Sequence, residues 1–117
     1  MKKGIKERWI AALNSGDYEQ GVGSLSKDNQ YCCLGVLCDL AAKDGVITAT
    51  NKHSGVTFST YTSFDGDDKY LPVSVQRWAG ISSHNPTVYK DTMITLANLN
   101  DQSYDFNVIS QVIEAVL

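Results

Sequence analysis

Tyr31-Cys32-Cys33-Leu34-Gly35-Val36-Leu37-Cys38-Asp39-Leu40 holds all three cysteines of the chain and its densest apolar run. At helical spacing Cys33, Leu37, Leu40 and Ala41 share one face, and Leu34, Cys38 and Ala41 the adjacent one. The stretch therefore predicts a helix from about Cys33 to Lys43 that is apolar over most of its circumference, and Asp44-Gly45 ends it. Such a helix is a central element against which the others pack.

Upstream, Lys27 to Gln30 reads as a polar turn. Asp17 to Ser24, with two glycines, reads as a loop or a short bent edge strand. Ile5, Trp9, Ala12 and Leu13 recur at i, i+4, i+7 and i+8, the stripe of an amphipathic helix over Lys3–Ser15, with Gly16 placed to end it. Downstream the period changes. Val56, Phe58, Thr60, Thr62 and Phe64 alternate with Thr57, Ser59, Tyr61 and Ser63, as strand residues do. With Val46–Thr50 as a partner and residues 51–55 as the connection, a hairpin is expected. Pro72 at N1 opens a short helix with Leu71, Val75, Trp78 and Ala79 on its apolar face. Thr87–Tyr89 makes a further short strand, and Asp91 caps two helical turns ending near Asn100-Asp101. Asp105 caps a last helix that buries Phe106, Ile109, Val112, Ile113 and Val116. The fold class is α+β: a compact helical core of four to five short helices with a small antiparallel hairpin or sheet, in one domain over residues 1–117.

A chain of 117 residues buries roughly 65% of the surface that its unfolded form exposes, enough for one core without staples. Hydrophobic residues make up 43% and charged residues 20%, which excludes intrinsic disorder. The net charge is −3 and no basic run extends beyond Lys2-Lys3, so long nucleic acid is not an expected partner. No apolar run is long enough to span a membrane, and no signal-peptide core follows the N-terminal lysines. An odd cysteine count in that setting fits free thiols in a reducing cytoplasm.

The chain resembles a group of small, mostly uncharacterised bacteriophage proteins. The resemblance is carried by Arg8-Trp9-Ile10-Ala11-Ala12-Leu13, by Ser15-Gly16-Asp17-Tyr18 with Gln20-Gly21, and by the cysteine stretch. It continues through Trp78-Ala79-Gly80, Leu96-Ala97-Asn98-Leu99-Asn100-Asp101, Phe106 and Ile109, and leaves about 46–70 unmatched. It implies a phage accessory protein acting in the cytoplasm of a bacterial host. By analogy with small phage proteins that counter host defence, it points to an oligomeric sponge for a nucleotide immune signal, and it hands over no catalytic residues.

The residues themselves offer four kinds of chemistry. As metal ligands the cysteines lack paired C-x₂₋₄-C spacing, and His53 and His84 lie far off in expected loops, so neither metal nor cofactor is expected. Cys32 or Cys33 near a helix N-terminus could serve as a nucleophilic thiol, though no adjacent base is visible; buried, inert cysteine is the commoner outcome. The Asp17–Ser24 loop can present glycine N–H groups, including that of Gly21, with Tyr18 and Gln20 to stack on and hydrogen-bond a nucleobase. Arg8 and Arg77, each one residue before a tryptophan, can grip a phosphodiester, against the plainer reading of solvated arginines. Asn100 reads first as a capping residue and second as a functional amide. Asp65-Gly66-Asp67-Asp68 lacks the ligand order of a calcium loop.

The leading expectation is a non-enzymatic protein that sequesters a small anionic nucleotide, such as a cyclic oligonucleotide or an ADP-ribose derivative, at a homo-oligomer interface. Arg8, Tyr18, Gln20, Gly21, Tyr61, Arg77 and Asn100 are the candidate contacts. The alternatives are an inhibitor that binds a host protein through the hairpin around Phe58–Phe64, and a thiol enzyme.

Overall fold

A computed structural model describes residues 1–56 and 58–117. The cysteine stretch becomes helix α2 (Cys33–Lys43), in which every residue from Cys33 to Cys38 is buried. Helix α1 (Lys3–Asn14) lies against it, with Trp9 and Leu13 inward, and the Trp9 indole N–H donates to the Cys33 carbonyl at 2.9 Å. Helix α3 (Val73–Ala79) and helix α4 (Leu96–Asp101) pack on other sides of α2. Helix α5 (Phe106–Val116) runs along α1 and carries Phe106, Ile109 and Ile113 into the core.

Five strands form one sheet: β1 (Glu19–Gln20), β2 (Ser26–Lys27), β3 (Gln30–Tyr31), β4 (Ala49–His53) and β5 (Thr60–Phe64). Their order is β1-β3-β2-β5-β4, with β1 parallel to β3 and the remaining pairs antiparallel. The fold is thus α+β as the pattern predicts, with a larger, mixed sheet. The Asp17–Ser24 segment supplies an edge strand, one of its two expected forms. The supposed turn over Lys27–Gln30 is a tight hairpin, because Asp28 (φ 51) and Asn29 (φ 63) both adopt the left-handed conformation that a two-residue turn between twisted strands requires. A second sheet pairs β6 (Thr87–Tyr89) with β7 (Ile94–Thr95).

Several expectations shift. The long hairpin exists, but its strands are β4 and β5, so residues 51–53 are strand rather than loop. Phe58 sits at φ 57 outside any strand, and the alternation read through Thr57 falls outside the described residues. Pro72 is the N-cap of α3 and not its first residue. Asp91 caps no helix: Thr95 does, through a reciprocal box with Asn98. Trp78 is half-buried, and Val116 faces solvent.

Candidate functional site

Of the seven candidate residues the structure brings three together. Asn100, fully buried at the end of α4, accepts through Oδ1 from the Cys33 backbone N–H (3.1 Å) and from Gln20 Nε2 (3.0 Å). Its own amide N–H₂ donates to the Gly21 carbonyl (2.8 Å), and Gln20 Nε2 also reaches the Tyr104 carbonyl (2.7 Å). Asn100 is thus a clamp that fastens β1 and the start of α2 to α4. The glycine N–H groups of the loop are also used internally: Gly21 donates to the Tyr31 carbonyl and Gly23 to Asp101. A side chain at Gly21 would come within 2.7 Å of Gln30 Cβ, so this glycine serves a close strand approach.

The remaining candidates lie apart. The Tyr18 hydroxyl donates to Asp39 and accepts from Lys43 Nζ at 3.1 Å, while its ring meets Tyr31 edge-on. Burial, then the Asp39 contact, pushes the Tyr18 phenol above its ordinary range; Tyr18 and Asp39 together raise the Lys43 ammonium. Arg8 makes two parallel bonds to Asp44 (2.8 and 2.9 Å) beneath the Trp78 ring. That hydrogen-bonded pairing raises the guanidinium and lowers the carboxyl. Arg77 stands in the last turn of α3, exposed.

All three thiols are free and buried. Cys32 Sγ accepts from the Gly35 N–H (3.4 Å) as the cap of α2, and Cys33 Sγ contacts the Leu96 carbonyl. Burial pushes the Cys32 thiol up to about 11, the reverse of nucleophile activation. Two results are expected. Thiol-specific reagents should label the folded chain at neutral pH only as fast as it unfolds. The melting temperature should fall as pH rises from about 9 to about 11, because the folded state holds this proton more tightly than the unfolded state does. Cys32→Ala should lessen that slope without abolishing it, because burial raises the Cys33 and Cys38 thiols as well; equal slopes in the two proteins would show that Cys32 contributes nothing.

The strand registers place one row of side chains on each face of the large sheet. One face carries Gln20, Tyr31, Ser26, Thr62 and Asn51, with the first three on the helical side and Asn51 exposed; the other, open face carries Glu19, Gln30, Lys27, Tyr61 and Lys52. On the open face Tyr61 is therefore flanked by a lysine on each neighbouring strand, and Lys27 Nζ lies 5.4 Å from its ring centroid. Beside Lys27 a shallow groove of about 240 Å³ is lined by Gly21, Val22, Ser24, Asp28 and Gln30. Tyr61 is visible as a candidate in the sequence; Lys27 and Lys52 are not, since strands of two residues show no periodicity and residues 51–53 of β4 read as the hairpin connection.

A family model described as a domain of unknown function, DUF8296, matches residues 1–117. The chain belongs to the DUF8296 family. No curated protein and no solved structure matches it. The DUF8296 match takes in the β4–β5 arm together with the helices, so Lys52 and Tyr61 fall within the family's unit, as Lys27 does. No helix among the described residues is long and apolar enough to cross a membrane.

Proposed function

We propose that the protein is a non-catalytic binding protein that captures a small anionic ligand with a flat ring, a nucleotide by chemistry, on the open face of its large sheet. In keeping with the phage resemblance, it would do so as an anti-defence sponge in a bacterial host. The observation that carries this reading is the row Lys27–Tyr61–Lys52. An aromatic ring on a pleated face offers a stacking platform to any base, and cations on both sides answer a phosphate. The groove beside Lys27 gives a bound ligand a wall to lie against. The binding surface thus moves from the Tyr18–Ser24 loop to the adjoining sheet, and Tyr61 is the one original candidate in its centre.

Calorimetric titration with cyclic di- and trinucleotides and ADP-ribose should give saturable heat with at least one of them. Tyr61→Ala and Lys52→Glu should each weaken it by roughly ten-fold, since a stacked base and a charge-assisted contact are each worth about 1–3 kcal/mol. Absence of heat throughout the panel, or affinity indifferent to Tyr61→Ala, rejects the reading.

A further inference from the structure

The β4–β5 arm has an unused edge. Ser54 donates to Ser59 and Asp65 to Thr48, so the hydrogen-bonded pairs along the arm fall at residues 48, 50, 52 and 54 of its outer strand. The backbone N–H and C=O groups of Ala49, Asn51 and His53 consequently point away from β5. No partner for these outward groups exists among the described residues. All five residues of β4 are exposed, and just beyond them Val56 and Phe58 are each 90% exposed. An edge of this kind is a template for one more strand.

The occupant can be narrowed by charge. A second copy of β4 laid antiparallel and centred on Asn51 would set the two Lys52 side chains on one face as diagonal neighbours, roughly 7–8 Å apart, and their repulsion opposes self-pairing. An extended segment with a carboxylate opposite Lys52 meets a favourable pair there instead. Its end nearer the tip would cover Val56 and Phe58. We infer that the β4 edge takes an extended segment of another protein as a sixth strand, with an acidic residue facing Lys52 and apolar residues toward the arm's tip. This inference shares Lys52 with nucleotide capture but rests on the outward backbone edge of β4, which that reading does not use.

Selection of surface-displayed random peptides against the full chain tests it. Enriched peptides should be β-prone and carry Asp or Glu at one position, and the same selection against Lys52→Glu should replace that residue with Lys or Arg. Asn51→Pro, which removes an outward N–H and leaves the β4–β5 backbone bonds in place while giving up the side-chain bond from the Thr62 hydroxyl, should weaken the selected peptides by roughly ten-fold. Peptides without an acidic preference, or a preference that Lys52→Glu does not invert, overturn the inference. So does binding indifferent to Asn51→Pro, or a self-associated dimer in sedimentation that Asn51→Pro dissolves. Asn51 points to the face opposite Tyr61 and Lys52, so nucleotide titration of Asn51→Pro reports on the open face separately, and the two readings can fail one at a time.

Discussion

Gly35→Ala is expected to cost about 3 kcal/mol or more and to leave little folded protein at physiological temperature. A Cβ on Gly35 would sit 1.8 Å from the Leu25 carbonyl oxygen and 2.6 Å from its carbon. Both are backbone atoms, so no rotamer change relieves the clash. Leu25 cannot step aside either: its N–H donates to the Asp68 carbonyl, its carbonyl accepts from Cys32, and its side chain is fully buried. Either α2 moves off the sheet or the β2 approach is lost, and both open the core around the largest cluster of buried side chains. Gly4→Ala is the matching control. Gly4 lies in α1 with nothing within 4 Å of its Cβ position, so the same change should stabilise by roughly 0.5–1 kcal/mol through helix propensity. Urea unfolding of the two variants measures the difference; a Gly35→Ala protein within about 1 kcal/mol of wild type would refute the close contact.

Gly35 also shows where sequence reading stops. The helix around it was legible because apolar residues fill nearly every position from Cys33 to Ala41, and Asp44-Gly45 marks the end. The stripe of α1 and the Asp105 cap of α5 were legible for similar reasons: periodicity over three turns, and a cap whose side chain accepts from Val108. A glycine inside a helix, by contrast, reads only as a weak helix former until Leu25 is seen against it. The strands β1, β2 and β3 have two residues each, too few for alternation to register, and they exist because the left-handed Asp28–Asn29 turn and the ladder to β5 hold them. Asp91 reads as the cap by residue type. Thr95 prevails because Asn98 returns a bond to its backbone. The site followed the same rule. Gln20 and Asn100 are eighty positions apart, and nothing local in either residue announces the other. Tyr61 stood out by type, but its lysine neighbours depend on registers that only the assembled sheet defines.

Asn100→Ala should cost about 2–4 kcal/mol, while leaving ligand capture on the open face intact wherever the variant is folded. Truncation strands the Cys33 N–H at the buried start of α2 and the Gly21 carbonyl, and it takes one of two acceptors from Gln20. If the loss comes from this shared network, a cycle with Gln20→Ala will be non-additive, because the two residues share a bond that either change removes. Asn100→Asp makes the chemistry more specific. Ionised, the new carboxylate can still accept from Cys33 and Gln20, but it faces the Gly21 carbonyl with no proton to donate, in a site closed to water. Protonated, it restores the donor. Burial and that carbonyl raise its folded-state pKa above the unfolded carboxyl value, by more than the Cys33 N–H and the Gln20 amide, which bond the charged form, lower it. The aspartate variant should therefore approach wild-type stability at acid pH and lose it as pH rises through the raised value, whereas Asn100→Ala should show no such dependence. Parallel urea titrations across pH separate the two: identical pH profiles for the Asp and Ala variants would mean that the Gly21 contact carries no weight, and a clamp at Asn100 would have to be abandoned.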